Sequence, residues 1–115
     1  MSQPTPTDPV ARLRQLAQLL REAHHLGPEA QQSLADILDE LSGALVPGSA
    51  PSAGDAHLAD RTAHLVEALH QQKDAGFLAS AKHKLEEAAA RTEAQAPVTT
   101  GIVRRLIDAL ANLGI

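Results

Sequence analysis

The stretch PVARLRQLAQLLREAHHLGPEAQQSLADILDELSGAL, residues 9–45, decides the fold class. At about 100° per residue around a helix, Val10, Leu13, Leu16, Ala17, Leu20 and Ala23 fall on one half of its first segment. Arg14, Gln15, Gln18, Arg21, Glu22 and His25 fall on the other. Asp8-Pro9 marks the start, because aspartate accepts the orphan N–H groups of a first turn and proline lacks an N–H where none is needed. Leu26-Gly27-Pro28 closes this helix 1 (Pro9–Leu26): glycine suits the left-handed position past a helix end, and proline restarts a helix. Helix 2 (Pro28–Leu45) carries a cleaner stripe of Ala30, Leu34, Ile37, Leu38, Leu41 and Leu45. So short a connection makes the two an antiparallel αα-hairpin. Helix 1 holds Arg12, Arg14 and Arg21, whereas helix 2 holds Glu29, Asp36, Asp39 and Glu40 and no base. Either the hairpin is charge-complementary or the two charged faces are separately solvated.

On the N-terminal side, residues 1–8 form a polar, Pro-rich stretch without the basic and apolar regions of a signal peptide, and are expected to be flexible. On the C-terminal side, residues 46–54 form a Pro/Gly/Ser/Ala linker with no periodicity. Asp55 is the expected N-cap of the next helix, whose stripe is Leu58, Thr62, Leu65, Val66 and Leu69. Further on, the apolar residues are Phe77, Leu78, Ala81, Leu85, Ala88 and Ala89. On one continuous wheel these stripes lie roughly 140° apart, so one straight helix cannot bury both against the same partner. The mismatch falls at Lys73-Asp74-Ala75-Gly76, where Asp74 could cap a new helix and Gly76 could end an old one. The region divides into helix 3 (Asp55–Lys73) and helix 4 (Ala75–Ala94), the alternative being one long helix with halves facing different neighbours.

Pro97 opens helix 5, in which Val98, Ile102, Val103, Leu106, Ile107, Ala109, Leu110 and Leu113 cover more than half the circumference. That helix belongs at the bundle's centre or in a subunit interface. Leu113-Gly114-Ile115 resembles a glycine-terminated helix end followed by an apolar contact. The expected architecture is a small, antiparallel, all-α bundle of five helices, or four if 55–94 is continuous. Residues 55–115 are expected to pack with the hairpin as one domain.

Composition agrees. The chain has 115 residues, 43% of them apolar, yet only one, Phe77, is a Phe, Tyr or Trp. A core made of aliphatic stripes suits helix-on-helix packing. With no cysteine, disulfides, thiolate zinc sites and thiol nucleophiles are excluded, and a reducing, cytoplasmic setting fits. A net charge of -4 argues against nucleic-acid binding, and Arg104 and Arg105 alone do not make a basic face. No apolar run approaches the length of a membrane span.

The residues able to carry chemistry point away from catalysis. Glu22-Ala-His-His25 and Glu67-Ala-Leu-His70 have the Glu-x-x-His spacing of di-iron bundles. Glu67 nevertheless lies roughly 160° from the Leu65/Leu69 stripe. Glu22 and His25 sit on a polar half, and helix 5 supplies no glutamate. Asp60, His64 and Glu67 share one helix face and could hold a surface metal, but an i,i+4 ion pair on a solvated face is preferred. His24, on the apolar side of helix 1, reads as a partly buried histidine near a helix C-terminus. No Gly-x-Ser-x-Gly elbow or Gly-rich phosphate loop occurs, and Asp36, Asp39 and Glu40 lie on an outer face. No cofactor, metal site or small-molecule substrate is expected.

Lys84-Leu85-Glu-Glu-Ala-Ala-Ala-Arg-Thr92 through Pro97, ending in Arg105-Leu-Ile-Asp108-Ala-Leu-Ala-Asn-Leu-Gly-Ile115, resembles the C-terminal half of domain-of-unknown-function family 4404. These are short bacterial helical proteins. The resemblance implies a Leu-rich hairpin, a variable linker and an Asp-Ala-Leu-x-x-(Leu/Met/Ile)-Gly-Ile tail. It makes the segment around helix 3 an insertion, and it carries no activity to inherit. The expected function is that of a non-enzymatic module, self-associating or docking another helical protein. Its candidate surface is Ile102, Val103, Leu106, Ile107, Leu110 and Leu113. The alternative is peripheral lipid-surface binding through the same helix, which lacks interfacial aromatics and has little lysine.

Overall fold

A computed structural model describes residues 9–22, 27–45 and 53–114. These form α1 (Pro9–Glu22), α2 (Pro28–Ala44), α3 (Ala53–His70), α4 (Ala75–Thr92) and α5 (Pro97–Asn112), with no strand among the described residues. The fold is all-α with five helices, and 55–94 is not one continuous helix. The 1–8 stretch, Asp8 as a cap, His24, His25, the expected end of helix 1 at Leu26 and linker residues 46–52 lie outside the described residues.

Most of the stripes read from the sequence are the faces that pack, but Phe77 of the α4 set is 41% exposed. Leu13, Leu16, Ala17 and Leu20 of α1 are buried, as are Leu34, Leu38 and Leu41 of α2 and Leu45 just beyond it. Across the hairpin Arg21 reaches Asp39 at 2.5 Å and Asp36 at 3.4 Å, and the Gln31 side chain donates to the Arg21 carbonyl at 2.7 Å. The hydrogen bond to Asp39 is the main reason the Arg21 guanidinium sits above its ordinary pKa. Charge complementarity within the hairpin therefore centres on Arg21. Arg12 instead turns to α3, meeting Glu67 at 2.7 Å and Asp60 at 3.4 Å.

Four local readings are corrected. Gly27 has φ −63° and ψ 154°, so it is the extended N-cap residue of α2 and not a left-handed terminator. Its carbonyl accepts the first helical bond from the Gln31 N–H. Asp55 does not cap α3, because that helix starts at Ala53 and absorbs the last two residues of the expected linker. Inside the first turn its carboxylate keeps the favourable end of the helix dipole and accepts a 2.7 Å hydrogen bond from Thr99 Oγ1 of α5. Gly76 does not end α3 but lies within the first turn of α4. The terminator is Gln72, whose φ of 56° is left-handed. There the Gln72 N–H bonds the Leu69 carbonyl and the Lys73 N–H bonds the Ala68 carbonyl, both at 3.1 Å, the paired closure of a helix C-terminus. Asp74 caps α4 as expected, accepting from the Phe77 N–H at 2.8 Å.

The fourth correction concerns the centre of the bundle. α1 packs on α2 and α3, α2 also on α5, and α4 on α3 and α5, while α3 touches α1, α4 and α5. All five helices feed one core. Its middle is α3, not α5. Ala59, Ala63 and Ala68 are buried beside Leu58, Thr62, Leu65, Val66 and Leu69, and these small side chains let neighbours approach from several directions. Gly54 extends this, since a Cβ there would stand 3.5 Å from Thr92 Cγ2 at the end of α4. α5 buries only one side because Arg104, Arg105 and Asp108 must reach water.

Candidate interaction surface

Two backbone signals set the limits of α5. Pro97 occupies its first turn after Ala96, whose carbonyl accepts from the Thr100 N–H at 2.9 Å. At the other end Gly114 adopts φ +84°, a left-handed conformation that glycine takes without the Cβ clash of other residues, and its N–H bonds the Ala111 carbonyl at 3.0 Å. Between them, Ile102, Val103, Leu106 and Leu110 are buried within the chain. They are core residues and leave the expected interaction surface, because α2, α3 and α4 already cover that stripe. Of the six candidates, Ile107 is partly buried and Leu113 is 42% exposed. Val98, absent from that set, is 69% exposed. Wheel reasoning could not separate these two groups, since the covered arc depends on how many neighbours a helix has.

A groove runs along each side of the C-terminal half of α5. Against α4 it has a volume of about 380 Å³ and is lined by Glu86, Ala89, Arg104, Ile107 and Asp108. Against α2 it has a volume of about 190 Å³ and is lined by Glu29, Ala30, Ser33, Leu34, Ala109, Asn112 and Leu113. The helices beside them are tied by Arg104 to Glu93, just past the end of α4, at 3.1 Å and by Arg105 to Glu40 of α2. The lining at 29–34 faces 109–113 while Glu40 meets Arg105, so α2 and α5 run antiparallel.

The sequence-derived metal candidates have other partners. Asp60 and Glu67 both hold Arg12, so the ion pairing lies between helices and not with His64. His64 leans against Phe77, ring centroids 6.0 Å apart, and Lys73 stands 5.8 Å from the same ring. Among the described residues no group of three His, Asp or Glu side chains could hold a metal ion. No described helix is long and apolar enough to cross a membrane.

The chain belongs to the family described as Domain of unknown function (DUF4404), which matches residues 48–115. The match takes in α3, α4 and α5. No curated protein and no solved structure matches the chain.

Proposed function

We propose that the protein is a non-enzymatic helical interaction module of the bacterial cytoplasm, self-associating or docking another helical protein through the outer side of α5. The observation that carries this reading is the pair of grooves flanking α5, with Ile107 in one and exposed Leu113 in the other. Packed helical interfaces use such ridges and furrows. Several charged and polar side chains serve to join helices: Arg12 with Asp60 and Glu67, Arg21 with Asp39, Thr99 with Asp55.

Peripheral lipid binding requires a free apolar stripe. On α5 that stripe is Ile102, Val103, Leu106 and Leu110, which face the core, so lipid binding would require α5 to detach. Light scattering after size exclusion, paired with pelleting on anionic liposomes, tests the proposal. The expected result is a chain that stays in the supernatant. A self-associated form should return to 12.1 kDa when Leu113 is replaced by Glu. A strict monomer that pellets with the liposomes would overturn the reading.

A further inference from the structure

The carboxylates of this chain fall into two groups. Asp36 and Asp39 hold Arg21, Asp60 and Glu67 hold Arg12, Glu40 holds Arg105, and Glu93 holds Arg104. Glu87 meets His83, and Asp74 and Asp55 accept from Phe77 N–H and Thr99 Oγ1. Against this pattern, Glu29, Glu86 and Asp108 make no ion pair or hydrogen bond among the described residues, and all three line the grooves beside α5. Glu22, on α1, is the other carboxylate without a partner among the described residues.

Arg104 also lines the α4 groove but already holds Glu93, so the unpaired acids beside Ala89 and Ile107 on one side and Leu34 and Leu113 on the other select a partner by charge. A second copy of this face, brought up by a two-fold axis, would offer Glu86 and Asp108 only Arg104 and Arg105, which already hold Glu93 and Glu40, and would set one net-acidic patch against another. A helix with aliphatic side chains along one stripe and lysine or arginine beside it has neither problem. Its stripe would settle beside Ile107 and Leu113, and its cations would meet Glu29, Glu86 and Asp108.

Resting on the interaction reading above, we propose that the α5 ridge is the docking face for a basic amphipathic helix of a partner protein. Two synthetic peptides of about 18 residues provide the probe, long enough for several helical turns. Both carry the same leucine stripe, one with lysine and the other with glutamate at the remaining positions. Fluorescence anisotropy with the full-length chain should show binding of the lysine peptide alone, weakening as salt rises from about 50 to 300 mM. Replacing both Glu86→Lys and Asp108→Lys should cost about tenfold or more in affinity, whereas Glu22→Lys should change it by no more than about twofold. Circular dichroism should show all variants equally helical.

Equal binding of the two peptides would overturn the proposal. So would an equal loss in Glu22→Lys, which would show that only net charge matters. A dimer that blocks the lysine peptide would make a second copy the occupant, again overturning it. If neither peptide binds while light scattering shows association reversed by Leu113→Glu, the basic-helix proposal fails and the interaction reading stands.

Discussion

Thr62 offers the sharpest test of how the core is built. It sits on α3 with no exposed surface, and its hydroxyl has no hydrogen-bond partner in the structure. A buried hydroxyl left unpaired loses its water without compensation, at a cost of about 1–3 kcal/mol. Thr62→Val keeps the β-branched shape, exchanges hydroxyl for methyl and leaves helix propensity nearly unchanged. It should therefore stabilise the fold by about 1–2 kcal/mol. For a chain of 115 residues the unfolding entropy is roughly 0.24 kcal/mol/K, so the melting temperature should rise by about 4–8 °C. Thr92→Val is the matched control, since Thr92 is also buried but donates to the Ala88 carbonyl at 2.7 Å. Losing that bond should cost about 0.5–1.5 kcal/mol. Urea unfolding with unchanged slope measures both. The reasoning fails if Thr62→Val lowers the midpoint, or if the two valine variants shift it in the same direction.

Two further predictions concern the backbone. Gly43 and Gly101 lie within α2 and α5, and a Cβ at either would meet nothing within 4 Å beyond the adjoining backbone of its own helix. Alanine at each should add about 0.5–1 kcal/mol by removing the flexibility of glycine from the unfolded chain, measured as a higher urea midpoint. Gln72 pays the left-handed penalty at φ 56°, so Gln72→Gly should stabilise by up to about 1 kcal/mol, and a drop in melting temperature would refute the role assigned to that turn.

Much of the architecture was readable from local periodicity because an aliphatic stripe at helical spacing has few alternatives. The roughly 140° phase shift correctly divided residues 55–94, and Asp74 carried its own capping signal. What was missed depended on neighbours in space. Asp55 looked like a cap, but the residues before it continue the helix and its carboxylate is used by Thr99 of α5, 44 positions away. Gln72 gave no warning of its conformation, because the packing of α3 and α4 imposes it. The surface on α5 was overcounted for the same reason. Ile102 and Leu113 belong to one apolar set in sequence, and only the positions of α2, α3 and α4 decide that the first is covered and the second is not.

The family match begins after the α1–α2 hairpin, yet α1 lies on α3 and α2 lies on α5. The hairpin is thus the cover of the matched segment, closing over Leu58, Leu65, Leu106 and Leu110 together with their neighbours. A chain carrying only the matched helices would present this aliphatic face to water, and would have to clothe it with another hairpin or another molecule.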